Sequence, residues 1–391
     1  MDFRLGDEVE AIRHDARAFL AEHLTDSMLD EMERTGTHHA PAFTRALGER
    51  GWVAPGWPKE DGGAGLNVLE QSVLSEELRR TQAPMDGIGT AMLVAATLRI
   101  WGTPEQKAAV LPGFTRGELL ISLGYSEADS GSDVAAARTR SRRDGDEWVI
   151  DGEKMFTSLA QVADYVFLLT RSDPDAPKKH QGLTMFLVPI DAPGLTVSEV
   201  KTLGGERTNI TSYDNVRVPD SARVGEVGGG WAVLTSALEL EHSGGFATEI
   251  ERVLQVAVEE ASKPNDAGER LIDDPAVRRR LARIAIDIEV SRLLQRRSAW
   301  MYSVGRAPHA EGPMAKVYSS ETFAAACSTL LDVFGPDGLR REHGLAATGV
   351  GVIEHAYRHS QVTRIYAGTS EIQRSIIAER GLGLPRTRRA G

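Results

Sequence analysis

Apolar residues recur at three- and four-residue spacing through most of this chain, the period of a helix with one buried face. Over roughly the first 120 residues this pattern predicts helices with short breaks. AFTRALGERGWVAP, LEQSVLSEELRRTQAP and PEQKAAVLPGFTRGE carry it, and the loop GWPKEDGGAGLN interrupts it. Across 119–227 the texture changes to short β-rich runs separated by Gly, Pro and Asp: EWVIDGEKMFTS, DYVFLLTRS, GLTMFLVPI, LTVSEVKTL and SYDNVRVP. From Gly228 long helical runs return, WAVLTSALELEHSGG, ATEIERVLQVAVEEAS, AVRRRLARIAIDIEVSRLLQRRSAWMYSV and SSETFAAACSTLLDVFG, with SKPNDAGERLIDDP as the expected mobile loop.

The order helices, strands, helices predicts an α+β chain, mostly α. Its expected domains are an N-terminal helical domain (1–118), a small middle β-barrel or sandwich (119–227) and a C-terminal helical domain (228–391). Strands never alternate singly with helices, which argues against a doubly wound parallel sheet. Pairing in the middle domain is expected to be antiparallel, with parallel pairs left open.

Composition narrows the function. The chain has 391 residues, 41% of them hydrophobic, enough for a sizeable core. A net charge of −11 argues against nucleic acid as a main partner. Cys327 is the only cysteine, so no internal disulfide can form and a reducing cytoplasmic location is the expectation. The amphipathic start lacks the apolar core of a signal peptide, and no run of about 18 uncharged apolar residues predicts a membrane span. HEXXH, CXXC, GXXXXGK[ST] and GXSXG are absent, and no metal site is expected.

Three segments, in order, resemble the acyl-CoA dehydrogenase family of flavoproteins: YSEADSGSD (125–133), KMFTSLAQVADYVFLLTRS (154–172) and IYAGTSEIQRSIIAERGLG (365–383). The resemblance covers essentially the whole chain and implies that the C-terminal domain is a four-helix bundle. It also implies FAD as cofactor, an acyl-CoA or acyl-carrier-protein substrate, an electron-transfer flavoprotein as acceptor, and a homotetramer or heterotetramer.

The same resemblance assigns roles. Tyr125, Ser126, Gly131 and Ser132 match the family's flavin loop, Ser132 also reaching the acyl-CoA. Phe156 stands where the family packs a tryptophan on the flavin, and Thr157 and Ser158 follow it, the Ser158 hydroxyl at the position that reaches flavin N5. Read alone, Phe156 is as readily a core residue, and the hydroxyl-rich loop a capped turn. Asp332 and Gly335 fall on the Q-x-x-G-G-x-G segment, with an aspartate in place of glutamine, and Thr369 and Glu371 match T-x-[EQ]. The R-x-x-F-G segment should fall near 264–268, but the chain reads PNDAG there.

Where well-known members carry their catalytic glutamate, this chain has Ala367. Its backbone N–H, beside Gly368, can still bond a thioester carbonyl. Abstraction of the α proton needs a carboxylate on an otherwise apolar surface. In GGWAVLTSALELEHSGG, Gly230, Leu234, Ala237, Leu238, Gly244 and Gly245 all lie within about 60° of Glu241 on a helical wheel. Glu239 lies opposite. Gly244 and Gly245 read as room for an acyl chain. Burial of Glu241 fits an ion pair with an arginine as well as it fits a base. The resemblance favours the base, since isovaleryl-CoA dehydrogenase and its relatives carry theirs on this helix in L-D-L-E-R, matched by 238–242. Leu238, His242 and Gly368 then fall beside the substrate. The expected reaction is α,β-dehydrogenation of an acyl thioester. The alternatives are a subunit that completes a partner's FAD site and a flavin oxidase or monooxygenase of the same fold.

Overall fold

The structure is a computed structural model describing residues 6–241, 245–340 and 349–385, without the side chains of 239–241. Its helices are α1 (Asp7–His23), α2 (Asp26–Thr35), α3 (Pro41–Glu49), α4 (Val68–Arg80), α5 (Asp86–Trp101), α6 (Pro104–Thr115), α7 (Gly230–Glu241), α8 (Ala247–Ser262), α9 (Pro275–Ser303), α10 (Glu311–Phe334), α11 (Val350–Ser360) and α12 (Ser370–Ile376). Its strands are β1 (Ile121–Gly124), β2 (Arg140–Asp144), β3 (Glu147–Lys154), β4 (Tyr165–Arg171), β5 (Leu183–Pro189), β6 (Leu195–Lys201), β7 (Arg207–Pro219) and β8 (Arg223–Val224). Packing divides the chain into two units: one of Met1–Asp30, Asn67–Ala83 and His242–Gly391, the other of Glu31–Leu66 and Pro84–Glu241.

In the second unit the strands form one sheet in the order β6-β7-β3-β2-β4-β5-β8. Most pairs are antiparallel, but β1 runs parallel to β4, as does the single pairing of Arg140 with Arg171. Trp148, Ile150, Val166, Leu168, Phe186, Val188 and Val216, from strands far apart in that order, share one core, so the sheet curls over its own face. β4 and β5 are buried on both faces, which is why they read as unbroken apolar runs. Helices α5 and α7 pack together, α5 against β1 and α7 against β5. Gly230 opens α7 where a Cβ would lie 2.8 Å from the Leu183 carbonyl, so only glycine lets the helix start this close to the strand.

In the first unit α8, α9, α10 and α11 bury Ile250, Val253, Ala257, Ile284, Ile288, Phe323, Cys327, Leu330 and Ile353 in one cluster. Helix α4 packs on α1, α8 and α9. There Glu77, 2% exposed, accepts from Arg13 at 2.5 Å and Arg17 at 2.9 Å. Burial pushes the Glu77 carboxyl up, but these two arginines hold it below its usual range. Among the described residues no helix is long and apolar enough to cross a membrane.

Candidate functional site

In the second unit β3 ends on Lys154, and the chain then turns through left-handed residues, Phe156 at φ 62 and Leu159 at φ 64. Such a residue costs about 1 kcal/mol unless its surroundings enforce it. Here they do. Thr157 is fully buried, donates its N–H to the Asn209 carbonyl at 2.8 Å, and accepts from Asn209 Nδ2 at 3.0 Å. The Ser158 carbonyl accepts from Ser122 Oγ at 2.9 Å, and its exposed hydroxyl sits 3.0 Å from Thr208 Oγ1. The Phe156 ring is left 60% exposed, which removes the core reading of this residue.

The loop 125–133 lies beside it, since Met155 donates its N–H to the Ser126 carbonyl at 2.9 Å. Tyr125 sets its ring edge-on to Phe167 at 6.2 Å, Ser126 is half-buried, and Gly131 and Ser132 are exposed. Sequence reasoning missed what holds this loop. Lys154, fully buried, donates to Glu127 Oε1 at 2.7 Å and to the Tyr125 carbonyl at 3.2 Å. Glu127 also accepts from the N–H groups of Arg138 and Thr139 at 2.7 and 2.9 Å. Burial pulls Lys154 down to about 8 despite its partner, while Lys154 holds Glu127 below its usual range against the burial of that carboxylate. Buried Ser130 Oγ has no hydrogen bond among the described residues.

Helix α7 buries Gly230, Val233, Leu234 and Ala237 and leaves Leu238 half-buried. Glu241 is its last residue, and its side chain, like all of His242 and Gly244, lies outside the described residues. One expectation is corrected. Gly245 leaves no gap for an acyl chain, because a Cβ there would lie 2.0 Å from Gln295 Nε2, whose side chain fills the space.

In the first unit the stretch 366–371 enters α12. Tyr366 is 43% exposed, with its ring edge-on to Phe246 at 6.3 Å. Ala367 and Gly368 are both left-handed, at φ 53 and 78. Among the described residues the Ala367 N–H donates to no acceptor. Thr369 caps α12, accepting from the Ile372 N–H at 3.2 Å. Glu371 lies below its usual range, held by its own N–H and Thr369.

Asp332 is exposed on the last turn of α10, and Gly335 follows in the left-handed region. The PNDAG stretch is a self-contained exposed turn. Pro264 bridges to Arg270, and Asn265 Oδ1 accepts from the N–H groups of Ala267 and Glu269. It offers neither the arginine nor the phenylalanine of the family segment. No cluster of His, Cys, Asp and Glu among the described residues could hold a metal ion.

An exposed ring and hydroxyl on a strained, over-determined turn, beside a half-buried loop with an unsatisfied hydroxyl, fit a planar group with an apolar face and a polar edge. A flavin is such a group.

Family models match the chain for the acyl-CoA dehydrogenase N-terminal domain over residues 6–118, the middle domain over 122–216 and the C-terminal domain over 228–382. The chain is 36% identical to acyl-CoA dehydrogenase FadE26 of Mycobacterium tuberculosis, over 97% of this chain and 98% of that protein. Among solved structures it resembles the Tcur3481-Tcur3483 steroid ACAD at 36% identity and a TM-score of 0.88, covering 99% of this chain and 100% of that one. It also resembles the ChsE4-ChsE5 complex of Mycobacterium tuberculosis at 35% identity and a TM-score of 0.89, again over 99% and 100%.

Proposed function

The chain belongs to the acyl-CoA dehydrogenase family, and we propose that it removes the α and β hydrogens of an acyl-CoA with Glu241 as base. The family consists of FAD flavoproteins that act as oxidoreductases on CH–CH groups in a three-domain fold. Phe156, Thr157, Ser158, Tyr125, Ser126, Gly131 and Ser132 hold the flavin end of FAD in this reading. Gly335, Thr369 and Glu371 hold the rest, and Asp332, a carboxylate where the family has glutamine, repels a pyrophosphate there unless it is paired. FAD, when bound, supplies the acceptor for the hydride that leaves Cβ.

The chain's own part is to move the α proton and steady the charge that this leaves. The Ala367 N–H donates to the thioester carbonyl, the Cα–H bond breaks as its proton passes to the Glu241 carboxylate, and a Cα–Cβ double bond remains. Leu238, His242 and Gly368 border the acyl group. The observation that carries this reading is the register of α7: the helix ends at Glu241, in phase with buried Gly230, Leu234 and Ala237. The test is Glu241→Ala in FAD-loaded protein. Flavin bleaching by acyl-CoA should fall by a factor of about 10³ or more, within the range of a lost general base plus positioning, and an unchanged rate removes Glu241 from the role.

A second reading concerns assembly and substrate. The solved relatives described as a steroid ACAD and as a two-component complex favour a bulky acyl group and a heteromeric partner for this chain too. The altered segments at 264–268 and 332–338 support a FAD site completed by another subunit. A panel from short branched acyl-CoAs to steroid side-chain CoAs, run on the chain purified alone, tests both. Turnover by a yellow homo-oligomer excludes the obligate partner. Electron-transfer flavoprotein is the proposed acceptor.

A further inference from the structure

The turn at 367–368 is held by two buried donors from different helices. Gln373 Nε2, from α12, donates to the Ala367 carbonyl at 2.8 Å. Lys316 Nζ, from α10, donates to the Gly368 carbonyl at 2.6 Å. Gln373 is fully buried and Lys316 is 6% exposed. A lysine is almost never so buried without strong partners, and removing its ammonium from water is costly. Here one of its hydrogen bonds goes to the backbone of a turn in which a non-glycine residue stands left-handed. Gln373 also fills the place of a Gly368 Cβ, which would lie 2.7 Å from its Nε2.

Pinning two consecutive carbonyls fixes both peptide planes that follow Ala367 Cα. The Ala367 N–H hangs from that same Cα, and its direction is set by a φ the backbone alone disfavours. We infer that Lys316 and Gln373 are positioning residues for the reaction: they hold the left-handed pair so that the Ala367 N–H stays aimed at the thioester oxygen. Lys316 sets its amine one hydrogen bond from that turn, and as an ammonium it favours the negative charge that develops on the substrate when its α proton leaves. The inference rests on the reading of Ala367 as the carbonyl donor.

Lys316→Met and Gln373→Met, in the FAD-loaded full chain, test it by two independent readouts. The first needs no substrate: hydrogen exchange of the Ile372 and Gln373 amides, whose acceptors lie on Thr369. Loss of either clamp should speed it at least about tenfold. The second is the pH midpoint of α-proton loss from a bound 3-thiaacyl-CoA, which ionises but is not carried through to the enoyl product. It should rise by about one unit in Lys316→Met, a tenfold loss of anion stabilisation, with binding of the neutral form changed less than about threefold.

Unchanged exchange in both variants overturns the clamp. Faster exchange with an unmoved midpoint overturns its role in the reaction. A wild-type protein that binds no acyl-CoA analogue overturns the proposed function instead, and the exchange result still decides the clamp. If Lys316→Met does not fold, Gln373→Met, which removes a single neutral donor, carries the exchange readout, and its midpoint should rise as the N–H loses its aim.

Discussion

Lys154 and Glu127 form a buried ion pair 2.7 Å long between the end of β3 and the loop 125–133. Lys154 titrates at about 8, so raising the pH through that value removes its positive charge and leaves its contact with the Glu127 carboxylate without charge assistance. The flavin absorbance of loaded protein should shift with a midpoint near 8, and Lys154→Met should abolish that transition. Global stability has the opposite sign. Between about 8 and the ordinary lysine value the unfolded chain holds more protons at this site, so Lys154 favours folding more as pH rises. Glu127, held below its usual range, contributes stability above the ordinary carboxylate pKa that is lost as pH falls. Thermal melts from pH 3 to 6 on Glu127→Gln should lose that portion of the acid slope.

Phe156→Ala should separate binding from folding. The ring is 60% exposed, and substitutions at such positions change stability by about 0.5 kcal/mol or less. An aromatic stacking contact is worth about 0.5–1.5 kcal/mol. The apoprotein should melt as wild type while FAD affinity drops roughly two- to tenfold, read by fluorescence titration.

Ala367→Gly should leave the melting temperature within about 2 °C. Relief of the left-handed alanine, about 1 kcal/mol, is offset by the extra freedom glycine gains in the unfolded chain, about 0.4–1 kcal/mol. Ala367→Val has no such offset and should melt clearly lower. Scanning calorimetry on the pair measures how much strain the turn stores.

Glu77→Ala removes the shared partner of Arg13 and Arg17 from a site where the carboxylate is 2% exposed. Arg17 is largely exposed and Arg13 keeps Glu10 and Glu76, so the cost is that of lost charge-assisted hydrogen bonds, about 1.5–3 kcal/mol. Lys263→Ala breaks the exposed pair with Glu260 and should cost less than about 1 kcal/mol. Urea unfolding of both variants should show that contrast.

The sequence made the order of elements legible because its two periods, 3.6 and 2, hold over long windows. Helix α5 was harder to see. Its run DGIGTAMLVAATLRIW is apolar all round, so it shows no stripe to count. Helix α7 was readable in part: Gly230, Leu234 and Ala237 are buried where the wheel of Glu241 puts them, but Leu238 is half-buried and the buried Val233 lies outside that stripe. The strained turn at Phe156 could not be read, because nothing in KMFTS announces a positive φ without glycine. Lys154 and Glu127 lie 27 residues apart, and Lys316 and Gly368 lie 52 apart. Only a fold brings such partners together. Gly245 misled the sequence reading for the same reason, since the side chain that fills its space comes from α9.

The left-handed Ala367 has a consequence for how this site can change. A donor supplied by the main chain survives every side-chain replacement except proline, so position 367 is chemically uncommitted in a way no side-chain catalyst is. With the turn secured from outside by Lys316 and Gln373, the proposed reading leaves the methyl of Ala367 open to replacement by any side chain the left-handed backbone tolerates, with the main-chain donor kept in place.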